Sequence, residues 1–318
     1  MAAIRAALGP GWEVVEVQAP AASDGDGGSG SPESIAATRG AEIYLGYGVP
    51  SGVVDAGRPT LRWVHTGTAG VGSSLPQLRG TQIVLTNSAG VHAEPMADWV
   101  IAAIAYFARG LDRMVEAQAL GRWAKDAFTD LTLPVRELRD LRVGLLGLGG
   151  IGSAVARRAV ALGMSVAAVR RRPERGQGLR WVGGLDELPR LAAESDCLVI
   201  AAPHTAATAG TVSRKVLELL PKDAIVVNVS RGSLLDEAAL LELINRGRLA
   251  GAALDVFSVE PLPEGHPFWG HPRVLVSPHV SAVTNRFWER ETALIVDNIR
   301  RYLAGAPLVN VVDLEAGY

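Results

Sequence analysis

Three ionisable residues close apolar runs in the second half of the chain: Arg231 follows 225–230, Glu260 follows 254–259 and His279 follows 274–278. Such runs read as buried strands, and in an open α/β sheet ligands bind in the crevice beyond the strand C-termini. Three strand ends would therefore deliver a guanidinium, a carboxylate and an imidazole to one place. That set suits carbonyl reduction of a 2-keto acid. Arginine offers a planar fork to a carboxylate and its neighbouring carbonyl oxygen. Histidine titrates near neutrality, so it gives a proton to that oxygen as hydride arrives and takes it back in reverse. A carboxylate beside the ring stabilises its charged form and keeps it oriented. Asp255, in the run before Glu260, lies close enough in sequence to bind a nicotinamide carboxamide. Taken singly, each residue has an ordinary explanation: a surface ion pair, a turn acid, a satisfied loop histidine.

A place for a hydride donor is written upstream. Residues 141–146 form an apolar run, followed by Gly147, Gly149 and Gly152 at the G-x-G-x-x-G spacing and a helical stretch from Ser153. Gly147 permits a tight turn, Gly149 lets backbone approach a pyrophosphate, and Gly152 lets the helix pack close to the strand. The free N–H groups of the first turn, at Gly150 and Ile151, face the phosphates. After the next strand, 165–169, an NAD site normally carries an acid for the ribose 2′-hydroxyl. This chain has Arg170, Arg171 and Arg172 instead. Guanidinium groups bind a 2′-phosphate that a carboxylate would repel, so NADP(H) is the expected cofactor, with NAD(H) possible. The competing reading is a solvated arginine loop that also includes Arg175.

The elements that must position these groups follow from periodicity. Strands are expected at 141–146, 165–169, 197–201, 224–228, 250–254 and 273–277, with helices between them, which fits a doubly wound Rossmann domain. A smaller parallel sheet is expected before it, with strands at 13–17, 42–47, 61–65 and 82–85 and a helix near 32–39. Residues 23–34 (SDGDGGSGSPES) read as an exposed, mobile loop. The opening stretch 2–8 is helical, with no strand before it, where a flavodoxin-like half usually begins with one. The strongly apolar helix 93–108 suits an inter-domain or subunit contact, and the last helix is expected at 286–303. The expected fold is thus α/β: a Rossmann cofactor domain, 93–284, inserted in a smaller flavodoxin-like substrate domain, 1–92 and 285–318.

Four blocks, 228–232 (NVSRG), 251–257 (GAALDVF), 260–263 (EPLP) and 277–280 (SPHV), together resemble the signatures of the D-2-hydroxyacid dehydrogenase family. The likeness runs in order from about Leu61 to Asp313. It implies a reductase of the glyoxylate/hydroxypyruvate type, with the family's catalytic arginine, glutamate and histidine falling on Arg231, Glu260 and His279. It implies a carboxylate-binding loop that uses backbone N–H groups at Ala69, Gly70 and Val71, and a cofactor side that includes Pro203, Ser230 and Asp255. It also implies a homodimer, for which helix 93–108 and the arm 118–141 are candidates. The chain departs from the pattern at Gly72, where an acid is common, at Asp98, where glutamate is usual, and at His204, which replaces a common leucine. A second function class is a non-catalytic, dinucleotide-sensing protein like the corepressors that share this fold.

Composition excludes several alternatives. Among 318 residues, 48% are hydrophobic and 20% charged, with a net charge of -2, which gives no argument for nucleic acid or an acidic membrane surface. The single cysteine, Cys197, opens an apolar run and reads as a small core residue. No histidine falls at metal-ligand spacing, so no metal is expected. The longest apolar run, 99–108, is too short to span a bilayer, and the expected compartment is the cytoplasm.

Overall fold

The structure, a computed structural model, describes residues 1–17, 30–130, 132–174, 176 and 178–317. The chain divides into two compact units, Met1–His92 with Thr284–Tyr318, and Ala93–Val283.

In the first unit three short strands, β1 (Ile43–Gly46), β2 (Trp63–Thr66) and β3 (Val84–Asn87), lie parallel in that order. Side chains alternate across a strand, and β2 displays the division. Val64 joins Val49, Val54, Leu78 and Leu85 on one face. Trp63 faces the other way and packs with Ile4, Ile295 and Ile299, which come from helices Ala2–Leu8 and Phe287–Leu303. The expected strand at 13–17 is corrected: Trp12–Val17 is irregular, Val15 is exposed, and Glu16 is held by Arg5 at 2.7 Å. The β-branched composition suggests a strand, but among the described residues 13–17 pairs with none, and β1 is an edge strand. Residues 23–29 of the expected loop and Arg175 lie outside the described residues; the expected loop at 32–34 is corrected, since these residues open helix Pro32–Thr38 with Ser34 buried.

The second unit is built on seven parallel strands: β4 (Arg142–Leu146), β5 (Ser165–Val169), β6 (Trp181–Gly183), β7 (Cys197–Ile200), β8 (Ala224–Asn228), β9 (Leu249–Leu254) and β10 (Val274–Val276). Their spatial order is β10-β9-β8-β7-β4-β5-β6. Chain order therefore reverses between β4 and β7, the switch point at which a doubly wound sheet opens a crevice. One more strand exists than the sequence suggested. The addition, β6, pairs Ala167–Val169 of β5. Both sheet faces are buried: Leu198 and Ile200 point to one core, Cys197 and Val199 to the other. Burial pushes the Cys197 thiol up to about 12, as befits a core residue.

Helix Ala93–Ala108 covers the second of these faces with Met96, Val100, Ile104 and Phe107, beside helix Gly150–Ala161. Its apolar stripe is thus used inside its own unit. Among the described residues no helix is long and apolar enough to cross a membrane.

Candidate active site

The glycine turn sits at the switch point. Gly147 adopts φ +100°, a conformation closed to most side chains, and its N–H bonds the Val169 carbonyl at 2.9 Å. A Cβ there would stand 2.6 Å from the Ala202 nitrogen, so only glycine lets the ends of β4 and β7 meet. Gly152 is equally constrained by the Gly147 carbonyl. Gly149 is different: a Cβ there would meet nothing within 4 Å. The protein itself makes no use of that freedom, which is what a ligand pressed against the backbone would require. Helix Gly150–Ala161 starts beside it with no side-chain cap, and Gly149 and Gly150 are exposed. The first-turn N–H groups of Gly150, Ile151 and Gly152 point from the positive end of the helix into this space.

Arg170 follows directly on Val169, the partner of Leu146 across the β4–β5 ladder. Its backbone is fixed by the Gly183 carbonyl at 3.0 Å, while its guanidinium lies 4.0 Å from Glu174. That loose ion pair leaves a cation beside the turn. Arg171 and Pro203 are exposed at the ends of β5 and β7. Ser230 is buried, and its hydroxyl donates to the Ala202 carbonyl, tying the loop after β8 to the loop after β7.

His279 and Glu260 form the clearest chemical pair. Nδ1 of His279 lies 2.8 Å from Glu260 Oε2, and Oε1 of the same carboxylate accepts the Phe257 N–H at 2.8 Å. The carboxylate is thereby oriented from both sides, and Nε2 of the ring is left for an acid–base role. The side chains are 47% and 35% exposed, so the pair is accessible from the crevice edge. His279 itself has φ +55°. What holds this rare conformation is Asp255, 1% exposed. Its carboxylate accepts the Ser277 hydroxyl at 2.6 Å, the Val280 N–H at 2.9 Å and the Ser281 N–H at 3.0 and 3.1 Å. Its carbonyl takes the His279 N–H at 2.9 Å. The Asp255 side chain thus holds the loop that carries His279.

Arg231 is exposed at the end of β8 and donates to its neighbour, the Ser230 carbonyl, at 2.7 Å. It bonds neither Glu260 nor His279. Its loop is nevertheless locked to theirs, because Gly232 lies directly on the Phe257–Ser258 backbone, leaving no room for a Cβ. Asp98 pairs with Arg158 at 2.7 Å, a local role that the shorter acid fills. Phe268 packs against Phe257 and His266 in the core, whereas Trp269 is exposed rather than packed.

In the first unit Ala69, Gly70 and Val71 follow β2. Sequence reasoning missed the side chains around them. Asn87 donates to the Ala69 carbonyl at 2.8 Å, and Thr68 donates to the Gly70 carbonyl at 2.8 Å. Beneath them, His65 and Glu291, 1% and 2% exposed, meet at 2.9 Å, and Glu291 also accepts the Ser88 hydroxyl at 2.7 Å. Asn87 and Ser88 do stand at a strand end, the one signal that marked the other candidates.

Comparison with known proteins gives one consistent picture. Residues 101–281 match the family model for the NAD binding domain of D-isomer specific 2-hydroxyacid dehydrogenases. A glyoxylate/hydroxypyruvate reductase A from Yersinia enterocolitica is 32% identical over 271 residues, 83% of each chain. A D-isomer specific 2-hydroxyacid dehydrogenase from Xanthobacter autotrophicus Py2, solved with NADPH and MES, superposes with a TM-score of 0.79 at 34% identity, covering 88% of this chain and 86% of that one. An NADPH-dependent glyoxylate/hydroxypyruvate reductase from Sinorhizobium meliloti, solved with NADP and sulfate, gives 0.76 at 28% identity, covering 88% and 87%.

Proposed function

The chain belongs to the D-isomer specific 2-hydroxyacid dehydrogenase family, and from that premise we propose that it reduces a small 2-keto acid of the glyoxylate or hydroxypyruvate kind to its D-2-hydroxy acid, with NADPH as preferred reductant. The observation that carries this reading is the His279–Glu260 hydrogen bond at 2.8 Å, set at the strand ends of a nucleotide-binding sheet.

The glycine turn fits a dinucleotide, since Gly149 faces open space and the uncapped helix start offers free N–H groups. A bound nicotinamide supplies hydride to the substrate's carbonyl carbon. His279 delivers the matching proton to the carbonyl oxygen from Nε2. Glu260 keeps the ring oriented through Nδ1 and stabilises it while charged. Arg231 polarises the carbonyl and binds the carboxylate as a fork. Ala69, Gly70 and Val71 offer backbone N–H groups suited to a substrate carboxylate. Pro203, Ser230 and Asp255 line the cofactor side, and Asp255 also holds the His279 loop.

The preference for NADPH rests on Arg170 and Arg171 at the position where an NAD site keeps an acid, and two relatives solved with NADPH or NADP support it. A homodimer in the cytoplasm completes the reading. Leu111, Met114, Val115, Leu120 and Trp123, all exposed in the second unit, are the surface we assign to the dimer. A non-catalytic dinucleotide sensor is less favoured, since it leaves the oriented His–Glu pair without a task.

The test is oxidation of NADPH and of NADH with glyoxylate, hydroxypyruvate, pyruvate and phenylpyruvate. Turnover with NADPH, lost in Arg231→Ala while cofactor binding persists, is the expected result. No turnover with any pair, from protein that binds NADPH, would refute the assignment.

A further inference from the structure

Three consecutive carbonyl groups before and within the loop at 68–70 are turned into the protein. The Thr68 carbonyl accepts the Ser88 N–H at 3.1 Å, the Ala69 carbonyl accepts Asn87 Nδ2 at 2.8 Å, and the Gly70 carbonyl accepts Thr68 Oγ1 at 2.8 Å. A trans peptide is planar, with its C=O and N–H on opposite sides. Fixing those three carbonyls therefore turns the N–H groups of Ala69, Gly70 and Val71 the other way. None of the three has a protein partner among the described residues. Successive N–H groups held in this manner form an anion-binding concavity.

The holders are themselves fixed. Asn87 is 5% exposed, and its Oδ1 accepts the Ala89 N–H at 3.1 Å, which settles which end of the amide faces the loop. Asn310, at φ +57°, grips the Asn87 and Ala89 carbonyls at 3.2 and 2.8 Å. On the other side, the Gly48 N–H bonds Thr66 Oγ1 at 2.9 Å, Thr66 Oγ1 lies 2.9 Å from Thr68 Oγ1, and Thr68 reaches the Gly70 carbonyl. Each hydroxyl has one hydrogen. Because Thr68 spends its own on Gly70, Thr66 must donate to Thr68, and the chain has a single direction.

We propose that Thr68 and Asn87 are positioning residues for substrate: they set two adjacent peptide planes so that the Gly70 and Val71 N–H groups converge on the carboxylate of the 2-keto acid. The inference rests on the function proposed above. Without the Thr68 hydroxyl or the Asn87 amide N–H, the corresponding carbonyl has no partner and the plane is free to rotate, presenting a carbonyl oxygen to an anion.

The experiment measures glyoxylate kinetics, inhibition by oxalate and NADPH affinity for the full chain and for Thr68→Val, Thr68→Ser and Asn87→Asp. Valine keeps the shape of threonine and removes the hydroxyl. Aspartate keeps the acceptor for Ala89 and removes the donor to Ala69. The expected result in Thr68→Val and Asn87→Asp is a KM for glyoxylate and a Ki for oxalate raised about tenfold or more, with kcat changed much less. NADPH affinity should stay as in the parent, and Thr68→Ser should restore KM. An unchanged KM in Thr68→Val overturns the inference, as does a raised KM that serine fails to rescue. Loss of folding in both variants would assign these side chains to stability and overturn it too. If the parent chain turns over no 2-keto acid, the proposed function fails, and this inference with it.

Discussion

Glu260 touches His279 with one carboxylate oxygen and the Phe257 N–H with the other, each at 2.8 Å, so the acid is clamped before it orients the base. The two residues come from different strand ends, β9 and β10, and neither depends on the other for its backbone position. Asp255 fixes the histidine loop, and Gly232 seats the Arg231 loop on the segment that leads to Glu260.

Glu260→Gln tests the clamp. The amide keeps the size and the Phe257 contact but removes the charge that steadies the protonated ring. We expect kcat to fall by about 10²-fold or more, with NADPH affinity unchanged. Stopped-flow and steady-state rates at several pH values check this, and a kcat within threefold of the parent would exclude an electrostatic role for the carboxylate.

Gly149→Ala separates stability from function. The added Cβ meets nothing within 4 Å, so the free protein should keep its stability within about 1 kcal/mol. NADPH affinity should drop sharply, because the methyl group occupies the approach to the phosphates. Thermal denaturation and fluorescence titration measure the two effects. Loss of both together, or of neither, contradicts the assignment of this turn.

Arg170→Asp should reverse cofactor choice. Among the described residues the guanidinium has a 4.0 Å contact with Glu174 to give up, so folding is little affected. The ratio of kcat/KM for NADPH to that for NADH is the readout. A fall of about tenfold or more is expected, and an unchanged ratio would leave the arginines as surface charge.

Asp196 gives a pH-dependent prediction. Burial opposes its ionisation, but Arg142 donates through Nε and Nη2 at 2.9 Å each, with its own N–H also at 2.9 Å, and holds the carboxyl below the usual range. A folded pKa below the unfolded one contributes stability that is fully present above the unfolded value of about 3.9 and is lost as pH falls through the folded value. Asp196→Asn should therefore cost about 1 kcal/mol at pH 7, a figure discounted for the exposed side of Arg142. The difference should shrink in urea titrations below pH 4, and a constant difference across that range would count against the ion pair.

Much of this was legible because buried strands and glycine turns leave strong marks. The runs ending at Leu146, Val169, Ile200, Asn228, Leu254 and Val276 were found to within a residue or two of their ends, and strand ends then pointed to Arg231, Glu260 and His279. Trp181–Gly183 was invisible, since three residues followed by another glycine are too few to show alternation; pairing with β5 makes it a strand. Residues 13–17 failed in the opposite sense: valine-rich composition favours a strand, yet the segment makes no pairing among the described residues. The bonds by which Asp255 holds the histidine loop are not legible, because sequence gives proximity but not direction. Thr68 and Asn87 were missed because their partners are backbone carbonyls, and no spacing rule encodes a bond to a group that every residue carries.

The bond between Arg142 and Asp196 has a further consequence for how the central sheet is aligned. Strand β7 is buried on both faces, so sliding it by one residue would exchange Leu198 and Ile200 for Cys197 and Val199 with every position still apolar. Hydrophobicity alone is a weak guard against such a slip. The polar fork at the entrance of β4 and β7 supplies the missing phase mark, because a slipped strand would leave both charges unmatched. It acts at the far end of the strand from Ala201–Pro203, yet it decides which backbone atoms arrive opposite Gly147.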